Sequence, residues 1–210
     1  MNPHSSSEKP VRLRERLREA TAEAILEAAE EVFATDGPRA RMESIAGRAG
    51  IAVGTLYNHF SDREALWREL CRSRREALLV RLDEALELSR NEPFEDALRA
   101  MLAAFVAHWA AHRGFVAVLM EHDPPTSSPG PRSKNRTMAQ EMLERVDALV
   151  RRGAAQGALR PEGVDLYPVL ILGMLRSVLF HHLEKAPSSA AAAEVERMLD
   201  LFLRGAGQRS

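Results

Sequence analysis

The residues best able to do chemistry on their own are histidines. His108 and His112 stand four positions apart, which on a helix puts both imidazoles on one face, the spacing of paired zinc ligands. Glu121 and His122 could complete such a set only where the fold brings them close. The run His108-Trp109-Ala110-Ala111-His112 lacks the glutamate that serves as general base beside the first histidine of helical metalloprotease motifs. His181 and His182 are adjacent, so they point about 100° apart around a helix and cannot chelate as a pair. A His-based metal-dependent enzyme is therefore a rival reading only. No catalytic residue, metal site or cofactor is assigned.

A second constellation, residues 41–60, concerns recognition. Two short helices that cross steeply around a tight turn dictate their own residue types. Ala46 falls where they approach most closely, so a larger side chain would wedge them apart. Gly50, four positions on, can take a positive φ at the turn without a Cβ penalty. Ile45, Ile51 and Leu56 supply apolar contacts between the pair. This spacing is that of a helix-turn-helix, whose second helix enters the DNA major groove.

The elements that must position these residues are helical. Ala and Leu together number 58, against 22 for Val, Ile and Thr, and β-branched residues are the ones that favour strands. No alternating strand-like run occurs. The class predicted is all-α, with about nine helices. The first runs to Thr35 on a stripe of Ile25, Ala29, Val32 and Phe33, and Asp36-Gly37-Pro38 ends it. Ser61-Asp62-Arg63-Glu64 reads as a capping box, with Ser61 as N-cap of a long helix to about residue 89. Residues 123–133 hold four prolines, three serines and a glycine, a loop composition. Helices over about 93–112, 114–122, 134–156, 165–185 and 188–204 complete the chain.

Charge and composition limit the function classes. The 29 basic and 30 acidic side chains leave a net charge of −1, unlike a histone-like basic chain or an acidic disordered one. The single cysteine, Cys71, excludes an internal disulfide framework and fits a reducing compartment. The first residues show no apolar leader, and the longest apolar stretches fall short of the ~20 residues a membrane helix needs. A cytoplasmic protein with no membrane partner is expected. Residues 1–17 read as a flexible basic arm. From Lys9 to Arg18 five basic residues (Lys9, Arg12, Arg14, Arg16 and Arg18) face one acid, Glu15, in either a solvated lead-in or a phosphate-touching segment.

Residues 18–78 resemble the DNA-binding domain of the tetracycline-repressor (TetR) family. The resemblance rests on Ile45-Ala46, Ala49-Gly50-Ile51, Gly54-Thr55-Leu56-Tyr57, His59-Phe60 and Arg63-Glu64-Ala65-Leu66. It implies a DNA-binding domain over 18–78 and a ligand-binding and dimerisation domain over 79–210. By position, Leu56 and Phe60 would be buried, while Val53, Gly54, Thr55, Tyr57, Asn58 and His59 would face DNA. Gly54 would let the backbone approach the groove. Thr55 and Asn58 would read bases, Tyr57 and His59 would touch phosphates, and Arg48 and Arg41 would neutralise the flanks. Three positions depart from the family pattern: Arg41, Ala52 and Val53 stand where many members carry Thr, Ser and Lys. Ala52 forgoes an N-cap bond, and Val53 removes a phosphate-binding cation. The first 80 residues carry 13 basic and 13 acidic side chains, so no large positive field backs the motif. The acids of the first helix (Glu19, Glu23, Glu27, Glu30, Glu31) are assigned to its solvent face.

The resemblance further implies a dimeric transcription regulator, by default a repressor, released from a palindromic operator in double-stranded DNA by a small-molecule effector. One helix-turn-helix contacts too little DNA for strong specificity, which independently favours a two-fold homodimer. The last two helices are the candidate interface, through Leu170, Gly173, Met174 and Ser177 on one, and Val195, Met198, Leu199 and Phe202 on the other. Core packing within one chain would produce the same stripes. Met101, Phe105, His108 and Trp109, with Met120, Met142 and Met174, are the candidate pocket, suited to an apolar or aromatic effector. An ordinary core is the alternative for each of these residues. A helical ligand-binding dimer with weak or lost DNA binding remains the other alternative.

Overall fold

In the computed structural model, which describes residues 8–122, 138–185 and 188–207, every regular element is helical. Among the described residues there are nine α-helices, two single 3-10 turns (Gly37–Arg39 and Pro161–Gly163) and no strand. In chain order they are α1 (Glu8–Asp36), α2 (Met42–Ala49), α3 (Val53–His59), α4 (Arg63–Leu88), α5 (Phe94–Ala111), α6 (Arg113–His122), α7 (Met138–Ala155), α8 (Tyr167–Lys185) and α9 (Ser188–Ala206). The all-α class predicted from composition holds. The flexible-arm reading is corrected over residues 8–17, which are already helical in α1. The proline-rich 123–133 segment lies outside the described residues.

The chain divides into two units. The first comprises residues through Arg74 together with Gly114–His122; the second holds Arg75–Arg113 and everything after His122. Helix α6 thus packs with the N-terminal helices, although the sequence assigns it downstream of residue 79. The cause is aromatic: Trp67 of α4 sits with its ring centroid 4.9 Å from Phe33 of α1 and 5.3 Å from Phe115 of α6. Phe115 is therefore core of the first unit. Around it Ile25, Ala29, Ile45, Ala46, Leu56 and Leu66 are fully buried.

The acids of α1 do not all face solvent. Arg74, 8% exposed, bonds Glu30 through Nε at 2.6 Å and Glu23 through a terminal nitrogen at 2.9 Å, and Glu31 pairs with Arg48 of α2. In the second unit Arg145 of α7 grips Asp83 of α4 with two 2.7 Å hydrogen bonds, and Arg75 reaches Glu141 at 2.7 Å. Gly153 of α7 has Phe94 of α5 so close that a Cβ would fall 2.4 Å from the ring. The Phe94 N–H donates to the Gln156 side-chain oxygen at 3.1 Å, satisfying one orphan donor at the start of α5.

Candidate nucleic-acid interface

The turn between α2 and α3 forms as its residue types require. Gly50 caps α2 in the left-handed region (φ 68°, ψ 29°), and the Ile51 N–H donates to the Ala46 carbonyl at 3.0 Å. That 6→1 bond is the Schellman closure, which only glycine enters without a Cβ penalty. Ala46, Ile45 and Leu56 have no exposed surface. Helix α3 starts at an Ala52 N-cap without a side-chain bond, as the sequence suggests.

Two faces of α3 follow. Leu56 and the capping residue Phe60 are buried; Gly54, Tyr57 and Asn58 are exposed, while Thr55 and His59 are half-buried at the margin. Tyr57, 48% exposed, is the largest side chain on that outer face. At Gly54 a Cβ would meet nothing within 4 Å of the chain. Val53 departs from its expected DNA-facing position and turns half-buried onto the unit's own core, as an apolar side chain at the first helical position can. Arg41 is exposed at the N-cap of α2. Arg48 is exposed but engaged by Glu31, so its charge is shared and not freely offered.

The start of α4 corrects the capping assignment. Asp62, not Ser61, is the cap: its Oδ1 accepts the Ala65 N–H at 2.7 Å, and Ser61 donates its hydroxyl to Oδ2 at 2.9 Å. The Ala65 bond first, then the Ser61 bond, holds the Asp62 carboxyl below the usual aspartate range. An aspartate accepts from the first turn more strongly than a serine hydroxyl and adds a charge at the positive helix end. A shallow polar depression lined by Thr35, Asp36, Arg39, Arg41 and Ser44 flanks α2. Arg39, exposed beside Arg41, was not singled out in the sequence; its place in the turn immediately before α2 was the available signal.

The other candidates separate. His108 and His112 do come together, ring centroids 4.5 Å apart, but among the described residues no group of three metal-ligating side chains forms. Of the pocket candidates, Met101, His108, Trp109 and Met142 are buried in the second unit, Phe105 and Met174 are half-buried, and the Met120 side chain lies outside the description. Met174 lines an open groove between α8 and α9 instead of an enclosed cavity. The interface candidates also divide. Leu170, Gly173, Met174 and Ser177 of α8 lie along that groove, with Met198 of α9. Val195, Leu199 and Phe202 are buried within the chain's own core, Phe202 edge-on to Tyr167 at 5.5 Å. The exposed apolar part of α9 is Leu201, 70% exposed.

A left-handed glycine turn, a buried inner face and an exposed polar outer face define a helix-turn-helix unit. Residues 25–70 match the family model for bacterial regulatory proteins of the tetR family. Residues 91–183 match that for the tetracyclin repressor-like C-terminal domain. The chain belongs to the TetR family of DNA-binding transcription regulators, which are typically not enzymes. The HTH-type transcriptional regulator NfxB of Pseudomonas aeruginosa is 28% identical over 197 residues, covering 91% of this chain and 93% of its own. A TetR transcriptional regulator from Streptomyces coelicolor is 28% identical with a TM-score of 0.59, covering 90% and 99%. The Bacillus subtilis regulator FadR, solved in complex with stearoyl-CoA, shares the fold at 21% identity and a TM-score of 0.67, covering 87% and 98%.

Proposed function

We propose that this chain is a homodimeric repressor that leaves a palindromic operator when a small apolar or aromatic effector binds its C-terminal unit. The observation carrying the DNA half is Gly54. Gly54 stands without a side chain in the first turn of α3, and nothing within the chain occupies the space its missing Cβ leaves. Close approach of the helix backbone to a groove accounts for it. Thr55 and Asn58 then read bases, Tyr57 and His59 contact phosphates, and Arg41, Arg39 and Arg48 flank them. Val53 contributes packing, not charge.

The dimer is supported by the apolar strip that α8 leaves uncovered. Leu166, just before α8, and Val169 and Leu170 on it are 56%, 55% and 41% exposed, and Gly173 about one turn further on has open space where a Cβ would stand. Two copies meeting through this strip would remove it from water. Effector release is a population shift: a ligand that prefers one setting of α4 changes the spacing of the two α3 helices. The FadR complex with stearoyl-CoA supports a small-molecule ligand in this fold. No single described helix is long and apolar enough to cross a membrane, and a cytoplasmic site of action fits a DNA-bound regulator.

The experiment is retention of sheared genomic DNA by the purified protein at low and moderate salt, followed by sequencing. A palindrome with half-sites about one helical turn apart is expected. Retention without sequence preference that vanishes with salt would overturn the repressor reading and favour a ligand-binding dimer that has lost operator recognition.

A further inference from the structure

Helix α1 begins well before the core it packs against. It runs without a break from Glu8 to Asp36, yet every residue from Leu13 to Ala20 is exposed, and full burial starts only at Ile25. About two turns of helix therefore stand clear of the packing of the first unit. They extend a helix already nucleated by its packed part, so each further residue adds at little cost. The Thr21 hydroxyl, which donates to the Leu17 carbonyl at 2.7 Å, joins the two stretches.

The sides of α1 are marked by what they grip. Glu31 pairs with Arg48 of α2, while Glu23 and Glu30 share Arg74 of α4. Leu13 precedes Glu31 by about five whole turns and so lies on the same line, toward α2. Leu17, Arg14 and Arg18 fall between that line and the one that buries Ile25, roughly two turns after Arg18. Glu15 and Glu19 fall on the other side, in line with Glu23 and Glu30, and Arg16 lies beside them. The exposed stretch thus sorts its charges, with cations and no acid toward the helix-turn-helix. Arg14 and Arg18 form no ion pair among the described residues. Standing four residues apart, they repel each other until an anion comes between them.

We propose that this face of α1 is a second DNA contact, outside the half-site read by α3. Arg14 and Arg18 bind backbone phosphates of the flanking duplex, and Leu13 and Leu17 lie against the sugars between them. Along a straight helix Arg18 and Arg14 stand about 20 and 26 Å from Glu31, beside which α2 ends. At about 3.4 Å per base pair that reach spans at most six to eight pairs of flanking DNA. Such a contact reads no sequence. It adds affinity and salt dependence to a motif whose Val53 contributes no charge. The proposal rests on the DNA-binding reading and extends it beyond the helix-turn-helix.

The full chain and an Arg14→Gln/Arg18→Gln double variant are compared by fluorescence anisotropy, on the duplex recovered from genomic selection and on an unrelated duplex of equal length. Each phosphate contact contributes about 0.9 to the slope of log affinity against log salt. The double variant is therefore expected to lose about 1.8 from that slope on both duplexes. Between roughly 50 and 200 mM salt the wild type should lose about twelve-fold more affinity than the variant. Arg16→Gln removes the same charge from the other side of the helix and should keep the wild-type slope. All three positions are exposed, so the variants should melt with the wild type. A double variant with the wild-type slope overturns the proposal. So does an Arg16→Gln slope lowered as far as that of Arg14→Gln alone, since charge anywhere on the stretch would then suffice. A Leu13→Gln/Leu17→Gln variant of lower mass in sedimentation would assign the face to a second copy of the chain and overturn it too. A recovered palindrome with unchanged slopes sinks the α1 contact alone; a lowered slope on the unrelated duplex with no palindrome sinks the repressor reading alone.

Discussion

Gly54→Ala is expected to stabilise the fold and weaken DNA binding at the same time. Gly54 is the second residue of α3, and the new methyl group would touch nothing within 4 Å. The fold therefore bears no packing cost, and alanine lowers the entropy lost on ordering the helix by about 0.5–1 kcal/mol. For a chain of this size that corresponds to a rise of roughly 1–4 °C in Tm. On DNA the same methyl group stands between helix and groove and lifts Thr55 and Asn58 away from the bases. A good base contact is worth about 1–3 kcal/mol, so the loss is roughly five- to a hundred-fold in affinity, read by anisotropy on the duplex recovered from genomic selection. Gly50→Ala is the internal control. It too has open space, but its φ of 68° is strained for alanine, costing about 1–2 kcal/mol, so its Tm falls. A Gly54→Ala protein that melts lower, or that melts higher and binds DNA unchanged, would refute the assignment of this face to DNA.

Leu170→Glu places a charge on the uncovered strip of α8 and should yield folded monomers at micromolar concentration, measured by sedimentation equilibrium; a persistent dimer would move the interface elsewhere. Gly153→Ala should destabilise the second unit by about 1–3 kcal/mol through overpacking on Phe94, visible as a lower urea midpoint. Arg74→Ala strands Glu30, whose side chain is 14% exposed, and the half-exposed Glu23 moderates the loss to roughly 2–3 kcal/mol. Asp62 titrates lower folded than unfolded, so its contribution is complete near neutral pH and is lost as pH falls through the depressed value. Wild-type Tm should therefore drop more steeply below about pH 4 than that of Asp62→Asn.

The helix-turn-helix was readable because each of its residues answers a local demand. Gly50 is needed for φ and Ala46 for close approach, both within the motif, while Leu56 answers the inward face that α1 and α4 cover. The stripe on α9 was not readable in the same way. Val195, Leu199 and Phe202 repeat at helical spacing, and that spacing reports only that one side of the helix is buried. Whether the cover is α5, α8 or a second chain is a tertiary fact, and here the cover is the chain's own core. The α8 strip had the same periodicity and the opposite outcome. The pocket candidates failed to separate for a related reason: methionine and aromatic side chains fill a packed core as readily as they line a cavity.

Charge is where counting along the chain misleads most. Five glutamates on the first helix look like a solvated acidic face that would weaken attraction to DNA. Glu23 and Glu30 instead share the Arg74 guanidinium, and Glu31 holds Arg48. Arg74 is thereby a structural cation, buried and unavailable to phosphate. Arg48 differs, since both it and Glu31 are more than half exposed, and an exposed pair of that kind is worth about 0–1 kcal/mol. Exchanging Glu31 for a phosphate oxygen is then nearly neutral within the protein, so the gain from the new contact is retained. Arg48 can thus leave Glu31 at little cost, and Arg41 and Arg39 lie beside α2 in a depression that itself contains Asp36. A surface with balanced charge can in this way still present its cations to DNA, through arginines whose acidic partners are weak enough to be displaced.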